Sequence, residues 1–553
     1  MKSKLLFASF ATLGMLLSFV FFVFYLLAFW AHMVDIELLV VLTVATNLVL
    51  WWVSPFITDW IQRTFYKVRW VTFEEFSQGH AEVAIFIKGV SEKNKIKIPA
   101  LRIIDDANPT AYCYGSYPEN SRLVVSSGIF KYLDIEEQKA VFAHELGHIV
   151  NRDFIVMTIA VTLLQVLYEV YYNFLRRRRS SKSKKGDVTP LIGAISYVLY
   201  IIGSYIVLYL SRTREYLADR FSAEHTNNPD ALSMALVKIA YGIAAEVDGE
   251  ATQRLLASTR AMGIYDFKAA DSIGTVFKLT MEKDRARFAD ELTKVFLFDI
   301  FSPWGLLSEI NSTHPLTGKR IRVLSEYAKE KGMGSIFNFE KITQEGKGLD
   351  KARLYNDFST GLCVYALPYL GVLAGVLIYL GDRANYPLSV FVIGASLLIQ
   401  GLYKYRRPEG APEKISVFEL MQDPYANPLQ GRFVEIEGKV IGKADAGSYL
   451  GEDVKMQDKS GCLIYLNYES IIPILGNLIF GLGRARKMIG QYSKATGWFR
   501  RSTYQVVDLD TVEAQGETIK SYTRFWGIIT GILFLVLGII LFITKQSGSC
   551  PLT

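Results

Sequence analysis

Long apolar stretches separated by polar segments dominate the pattern of this sequence. Seven stretches are long and apolar enough to cross a bilayer as helices. They cover about residues 5–31, 36–57, 154–175, 190–210, 359–380, 386–403 and 525–544. The first is too long for the apolar region of a signal peptide and is followed at once by another span, which indicates an uncleaved anchor. The pattern therefore predicts an α-helical integral membrane protein.

The polar segment after the second span carries shorter patterns that predict a folded α+β domain. Three runs rich in apolar residues predict strands at 82–87, 100–106 and 122–129. A helix is predicted to start after Asp134, since Asp134 is a good N-cap and Glu137 completes a capping box. We expect a small sheet packed on this helix.

The segment 411–523 has a third pattern, in which short apolar runs alternate with turn residues. The runs near 433–442, 461–468 and 494–510 predict a small β-barrel, for which an OB-like fold is expected. An apolar insertion, IIPILGNLIFGLGRARKMIG at 471–490, is typical of a membrane-surface segment. The predicted organisation is a two-span anchor (1–57), a domain interrupted by a transmembrane hairpin (58–355, hairpin 154–210), a second hairpin (356–410), the barrel (411–523) and a C-terminal transmembrane helix with its tail (524–553).

Composition supports membrane insertion. The chain is 50% hydrophobic with a mean hydropathy of +0.21, which is too apolar for a soluble protein of 553 residues. Its four cysteines lack CxxC spacing, which argues against a disulfide framework or a cysteine zinc site. The net charge of +7 is modest, and the basic cluster at 176–185 directly follows an apolar stretch, so it indicates lipid headgroups rather than nucleic acid.

The distribution of basic residues predicts a topology. Roughly fourteen lysines and arginines lie near span ends on the side of residue 144 and roughly nine on the other, which favours a cytoplasmic location for that side. Most of the nine belong to the cluster at 176–185. Either the hairpin at 154–210 does not cross fully, or this cluster was translocated against its preference.

The motif HELGH at residues 144–148 is the main chemical signal. His144 and His148 stand four residues apart, so one face of a helix can present both imidazoles to one metal ion. With six histidines in the chain, a chance match is expected at roughly a few in a thousand. A metzincin site is excluded, because Asn151 and Phe154 stand where that pattern has glycine and histidine.

The third ligand has two carboxylate candidates. Glu169 has a thermolysin-like spacing, but no Gly or Pro turns the chain before it, and a continuous helix places it about 30 Å away. Glu215 is reached by a hairpin of two antiparallel helices of similar length, roughly 40 Å each. The first leads away from the histidines, and the second brings Glu215 back to their level. Asp219 follows on the same face and is expected to accept the second ring N–H of a ligating histidine. The alternative is a helix-surface pair bonded to Arg212 or Arg214.

Five motifs together resemble one family. They are HELGH at 144–148, REYLAD at 214–219, NPTAYCYG at 108–115, VVSSGI at 124–129 and STHPLTGKRI at 312–321. Over about residues 80–330 the chain is similar to the HtpX-type membrane zinc metallopeptidases, which are related to the CAAX prenyl proteases. This resemblance implies a gluzincin-like core with one zinc ion per chain on His144, His148 and Glu215, and Glu145 as the catalytic base.

The resemblance also places further residues near the cleft. NPTAYCYG is expected to be an edge strand on which Asn108, Ala111 and Tyr112 bind the substrate main chain, the alternative being an ordinary turn and strand. His314 and Arg320 are expected to stabilise the oxyanion, the alternative being that both hold a loop in place.

These observations predict a zinc-dependent endopeptidase of the cell membrane. Its partners would be the lipid bilayer and polypeptides, in particular membrane or misfolded proteins cleaved on the cytoplasmic side. Two other classes stay open: a catalytically idle zinc-binding membrane scaffold, and a membrane-tethered binding protein that uses the OB-like domain.

Overall fold

The computed structural model describes residues 36–65, 68–160, 162–164, 168, 171, 189–245, 285–345, 349–443, 452–501, 505–514 and 516–548. The chain divides into two compact units, residues 1–246, 251–270 and 307–338 in the first and residues 247–250, 271–306 and 339–553 in the second. The predicted first span at 5–31 and the basic cluster at 176–185 lie outside the described residues.

The helices and strands are numbered in chain order. The helices are α1 (Ile36–Phe65), α2 (Phe73–Gly79), α3 (Ala81–Lys93), α4 (Ser127–Tyr132), α5 (Ile135–Val150), α6 (Thr189–Thr226), α7 (Pro229–Ala245), α8 (Arg285–Phe301), α9 (Pro303–Ile310), α10 (Thr317–Glu330), α11 (Phe339–Glu345), α12 (Lys351–Gly381), α13 (Tyr386–Lys404), α14 (Val417–Met421), α15 (Leu475–Leu482), α16 (Arg484–Met488) and α17 (Thr523–Gly548). The strands are β1 (Arg69–Trp70), β2 (Ala100–Ile104), β3 (Ala111–Gly115), β4 (Ser121–Ser126), β5 (Glu413–Lys414), β6 (Arg432–Lys443), β7 (Val454–Asp458), β8 (Leu463–Asn467), β9 (Tyr492–Arg501), β10 (Gln505–Ala514) and β11 (Glu517–Lys520).

The first unit contains a four-stranded sheet in the order β1-β2-β4-β3, in which β2 and β4 are parallel and the other pairs antiparallel. The strands predicted at 100–106 and 122–129 are confirmed as β2 and β4. The strand predicted at 82–87 is wrong, because these residues lie in α3. Val83, Ala84, Ile87, Val90 and Ser91 are its buried residues, and this is helical spacing.

The start of α5 matches the prediction. Asp134 accepts a hydrogen bond from the Glu137 N–H at 3.0 Å, and the Glu137 carboxylate accepts one from the Asp134 N–H at 2.9 Å. Lys238 of α7 donates to Glu137 at 2.6 Å and ties the first turn of α5 to its neighbour. The helix ends at Val150. Arg152 then adopts a left-handed backbone conformation with a φ of +57°. The helical segment that follows is bent by 58° from α5.

Several predicted spans form helices of the length and composition that a bilayer requires. Among the described residues four helices qualify, at Ala194–Thr226, Lys351–Gly381, Arg383–Lys404 and Thr523–Gln546, and a fifth is added if α5 and the segment Asp153–Leu164 are counted as one broken span. At most 28% of the apolar window of these four helices is buried inside the protein. The predicted span at 36–57 lies within α1.

The second unit contains the predicted C-terminal β-barrel. Strand pairing runs β6-β7-β8-β10-β9 and returns from β9 to β6, which closes a ring of five strands. Only β8 and β10 are parallel within this ring. Trp498 and Phe433 are buried together with Tyr405, which follows α13. The two short helices α15 and α16 lie in the connection from β8 to β9.

Candidate metal centre

The helix α5 presents His144 and His148 on one buried face. The two Nε2 atoms lie 3.1 Å apart, and the rings meet edge to face with centroids 4.7 Å apart. This is the arrangement that four-residue spacing on a helix was expected to give.

Glu215 of α6 reaches the same point. One carboxylate oxygen lies 3.5 Å from His144 Nε2 and the other 3.5 Å from His148 Nε2. The potential ligand atoms of these three residues all lie within 4.8 Å of one another. Glu215 Oε2 is buried and has no hydrogen-bond partner in the described part of the chain. Two imidazole nitrogens and one carboxylate with an unpaired buried oxygen are a donor set that fits a catalytic zinc ion.

Gly147 lets α5 and α6 approach closely enough for this convergence. A Cβ atom at residue 147 would lie 3.1 Å from the Cα of Ala218 and 3.1 Å from the Cβ of Phe221. Ala218 belongs to the turn of α6 that follows Glu215. Any larger side chain at 147 would therefore push the helix that carries Glu215 away from the histidines.

Each histidine has a carboxylate beside its second ring nitrogen. His144 Nδ1 lies 3.0 Å from Asp219 Oδ1, and His148 Nδ1 lies 2.5 Å from Asp153 Oδ2. Such a carboxylate fixes the ring orientation and keeps the proton on Nδ1, which leaves Nε2 free to act as a ligand. Asp219 was expected next to a histidine; Asp153, immediately after the turn that ends α5, was missed.

Both carboxylates are in turn paired with arginines. Arg320 of α10 donates to the two oxygens of Asp219 at 2.9 and 2.6 Å, and Arg214 Nε lies 3.1 Å from Asp153 Oδ1. The alternative that Asp219 forms a surface pair with Arg212 or Arg214 is wrong, since Asp219 is only 1% exposed. Arg212 instead donates to three backbone carbonyls between residues 309 and 312.

The segment before α10 brings His314 over Glu215. His314 Nδ1 lies 3.2 Å from Glu215 Oε2, and neither ring nitrogen has a hydrogen-bond partner with suitable geometry among the described residues. Arg320 is also near, with one guanidinium nitrogen 3.6 Å from Glu215 Oε2, but its other nitrogens are occupied by Asp219. His314 therefore lies at the metal centre beside Glu215, while Arg320 is held in place by Asp219.

Glu145 is buried beside His144 on α5, with 1% of its surface exposed. The Cys113 thiol of β3 donates to the backbone carbonyl of Glu145 over 3.4 Å. Burial, reinforced by the nearby Glu145 charge, raises the pKa of Cys113 well above its usual value. Cys113 is thus a protonated packing residue that holds β3 against the middle of α5.

The predicted substrate strand lies at the edge of the sheet. β3 pairs only with β4 in the order given for the described strands. The Ser126 N–H donates to the carbonyl of Thr110, so by antiparallel alternation the peptide groups of Ala111 and Cys113 point away from β4. Tyr112 pairs with Val124 inside the sheet, and its hydroxyl accepts from Gln62 of α1 at 2.9 Å.

Asn108, which precedes this strand, is 2% exposed. Its Oδ1 atom is buried and has no hydrogen-bond partner among the described residues. This unpaired amide oxygen thus lies directly before the edge strand β3.

Comparison with known proteins agrees with this geometry. Residues 78–328 match the sequence model of peptidase family M48. A protein named "Protease HtpX homolog" from Methanothermobacter thermautotrophicus is 33% identical over 173 residues, which cover 31% of this chain and 63% of the relative. Another of that name from Aquifex aeolicus is 31% identical over 196 residues, which cover 34% of this chain and 63% of the relative.

No solved structure matches the chain. The chain spans 63% of the length of both relatives, and the family match ends before the second apolar hairpin and the barrel. The part that matches the family model contains the helix with both histidines, the helix with Glu215 and the segment with His314. Residues 78–328 of this chain therefore match peptidase family M48 and are similar to the two proteins named "Protease HtpX homolog".

Proposed function

We propose that this chain is a zinc-dependent endopeptidase embedded in the cell membrane. The observation that carries the proposal is the convergence of His144, His148 and Glu215 within an M48 domain, with a carboxylate behind each histidine. An idle zinc scaffold would need the three ligands but would have no use for Glu145, which the HExxH pattern adds beside them.

Zinc held by these three residues would supply Lewis acidity towards a peptide carbonyl and towards water. Asp219 and Asp153 hold the imidazoles with their Nε2 atoms turned towards Glu215. Glu145 takes the proton of the attacking water and passes it to the leaving amine. His314 donates a hydrogen bond to the carbonyl oxygen as negative charge develops on it. We assign Arg320 a positioning role through Asp219 rather than the direct contact that the sequence favoured.

The open edge of β3 is proposed to bind the substrate. An extended peptide can pair with the outward peptide groups of Ala111 and Cys113, and Asn108 lies at the end of the same edge. Tyr112 contributes by fixing the strand to β4 and α1. Main-chain pairing tolerates many side chains, which suits an enzyme that cleaves membrane or misfolded proteins.

The apolar helices are proposed to cross the bilayer. In the candidate span Ala194–Thr226 the apolar sequence ends near Leu210, and the polar remainder carries Glu215 and Asp219. A span needs about 20 residues, so a helix of 33 residues can hold the metal site just outside the hydrocarbon core. The balance of basic residues favours the cytoplasmic side for this end.

For the barrel we propose an OB-like fold. Its closed strand order, with the third and fifth strands parallel and helices before the fourth, is compatible with a five-stranded Greek-key barrel of that type. A role in recruiting substrate or regulating access suits a domain attached to apolar helices at both ends.

The test compares Glu145→Gln with Glu136→Gln, an exposed residue of the same helix. Both variants should retain zinc, and only Glu145→Gln should lose cleavage of an unfolded protein such as casein. Zinc analysis and a chelator-controlled cleavage assay on the purified chain measure both quantities. Cleavage by Glu145→Gln at the wild-type rate would rule out the base assignment, and a wild-type chain that holds zinc without cleaving would favour the scaffold.

A further inference from the structure

The connection between β8 and β9 carries an exposed apolar surface, which we call the 471–482 patch. Its members are Ile471, Ile472, Ile474, Leu475, Ile479 and Leu482. Ile474 is 85% exposed and has a φ of +63°, which β-branched residues rarely adopt. An aliphatic surface of this kind marks an interaction site rather than an ordinary water-facing surface.

The other side of the same segment is fixed to the barrel. The Asn477 side chain accepts from the Ser470 N–H at 2.7 Å and donates to Glu469 at 3.0 Å and Glu452 at 3.2 Å. Phe480 stacks on Tyr468 with ring centroids 3.7 Å apart. The segment is therefore anchored through its polar and aromatic side chains, and its aliphatic side chains are directed outward.

Hydrogen bonds join the two residues just before the patch to Tyr522 and to the first turn of α17, a candidate membrane span. Trp526 Nε1 donates to the carbonyl of Ser470 at 2.9 Å, and the Tyr522 N–H donates to the carbonyl of Glu469 at 2.7 Å. Tyrosine and tryptophan at the end of a span lie at the level of the lipid headgroups. The patch starts one residue after Ser470 and so lies at the same level.

Basic residues follow the apolar ones. Arg484 and Lys487 of α16 are both exposed directly after the patch. Aliphatic side chains beside exposed lysine and arginine are the composition of segments that lie in the interface of a membrane containing anionic lipids. The hydrogen bonds to the start of an apolar span place the patch beside the bilayer, which favours lipid over a docked protein as its occupant.

We propose that the 471–482 patch inserts into the bilayer interface and that Arg484 and Lys487 bind anionic headgroups there. This contact attaches the barrel to the membrane in addition to its covalent links to α13 and α17. The proposal depends on the membrane placement of α17 and is independent of the metal centre and of peptidase activity.

The depth of residue 474 tests the insertion. Ile474→Cys and Lys459→Cys are prepared in the full chain with Cys363 and Cys550 replaced by serine, labelled with a nitroxide and reconstituted in phosphatidylcholine vesicles with phosphatidylserine. Lys459 is the control because it is exposed and lies in the turn between β7 and β8. This turn is at the end of β8 opposite to the patch, about 13 Å away along the strand.

Collision with oxygen and with a water-soluble nickel complex is measured by electron paramagnetic resonance. At residue 474 we expect strong collision with oxygen, protection from nickel and a depth of about 5–10 Å, while residue 459 should be open to nickel. Nickel access at 474 equal to that at 459 would place the patch in water. Protection from both reagents would mean that protein covers it. Either result overturns the proposal.

The headgroup contact has its own variant. Arg484→Glu combined with Lys487→Glu should move the label at 474 outward in vesicles with phosphatidylserine and leave it unchanged in phosphatidylcholine alone. An unchanged depth in both lipids would refute the anionic contact. Peptidase assays on the same preparations separate a failure of this proposal from a failure of the proposed catalytic function.

Discussion

The buried pair of Asp219 and Arg320 allows a sharp test of how the metal centre is organised. The two side chains are 1% and 2% exposed and share two hydrogen bonds at 2.9 and 2.6 Å. Asp219→Ala would leave the Arg320 charge buried without its main partner. Breaking a buried pair from one side costs about 3–5 kcal/mol. For a domain of this size that lowers the thermal midpoint by roughly 6–20 °C.

A double variant separates stability from positioning. Asp219→Leu with Arg320→Met removes both charges and replaces them with apolar volume, so stability should return close to that of the wild type. His144 nevertheless loses the carboxylate beside Nδ1. Loss of such a partner lowers metal affinity by about 10–100-fold. The double variant should therefore be about as stable as the wild type but have a lower affinity for zinc.

The assay uses thermal unfolding in detergent and zinc competition with a chelator of known affinity, on the wild type and both variants. If zinc affinity returned together with stability in the double variant, Asp219 would act only through folding. If Asp219→Ala unfolded at the wild-type temperature, the assumption of a desolvated ion pair would be wrong.

Three further predictions concern the same centre. Glu215→Ala should lose zinc under dialysis that leaves the wild type loaded, and full occupancy in that variant would point to another carboxylate. Gly147→Val should lower both the unfolding temperature and zinc affinity, because a Cβ at 147 already meets α6 at 3.1 Å; Gly334→Val, where a Cβ would meet none of the described residues within 4 Å, is the control. His314→Ala should lower kcat by about 10²–10³-fold with zinc occupancy unchanged, and an unaltered kcat would remove His314 from the mechanism.

The parts of the site that depend on local sequence were predictable. The helix cap at Asp134 and the four-residue spacing of the histidines depend only on neighbouring residues. The similar length of the two predicted helices of the hairpin pointed to Glu215, which the structure places beside both histidines. Asp153 was not predictable in this way. Its carboxylate reaches His148 only because Arg152 adopts a positive φ and bends the chain by 58°, and nothing in the pattern of apolar residues records that turn.

The incorrect strand at 82–87 has a different cause. Six residues are too few to distinguish a period of two from a period of 3.6 when most of them are apolar. The difference appears only when Val90 is included, since Val83, Ala84, Ile87 and Val90 form one buried stripe of α3. The position of His314 beside Glu215 could not be predicted from neighbouring residues either, because it is set by the packing of α10 on α6.

Under the proposed function, the edge of β3 that faces away from β4 has a consequence for which proteins can be degraded. Its five residues, Ala111–Gly115, offer hydrogen bonds along about 16 Å, and only a chain that has given up its own backbone bonds over that length can accept them. In an intact helix, or in a strand inside a sheet, the backbone N–H and C=O groups are already paired. Under the proposed function, the enzyme would distinguish damaged proteins from sound ones by whether a short stretch is locally unravelled, without reading which amino acids it contains.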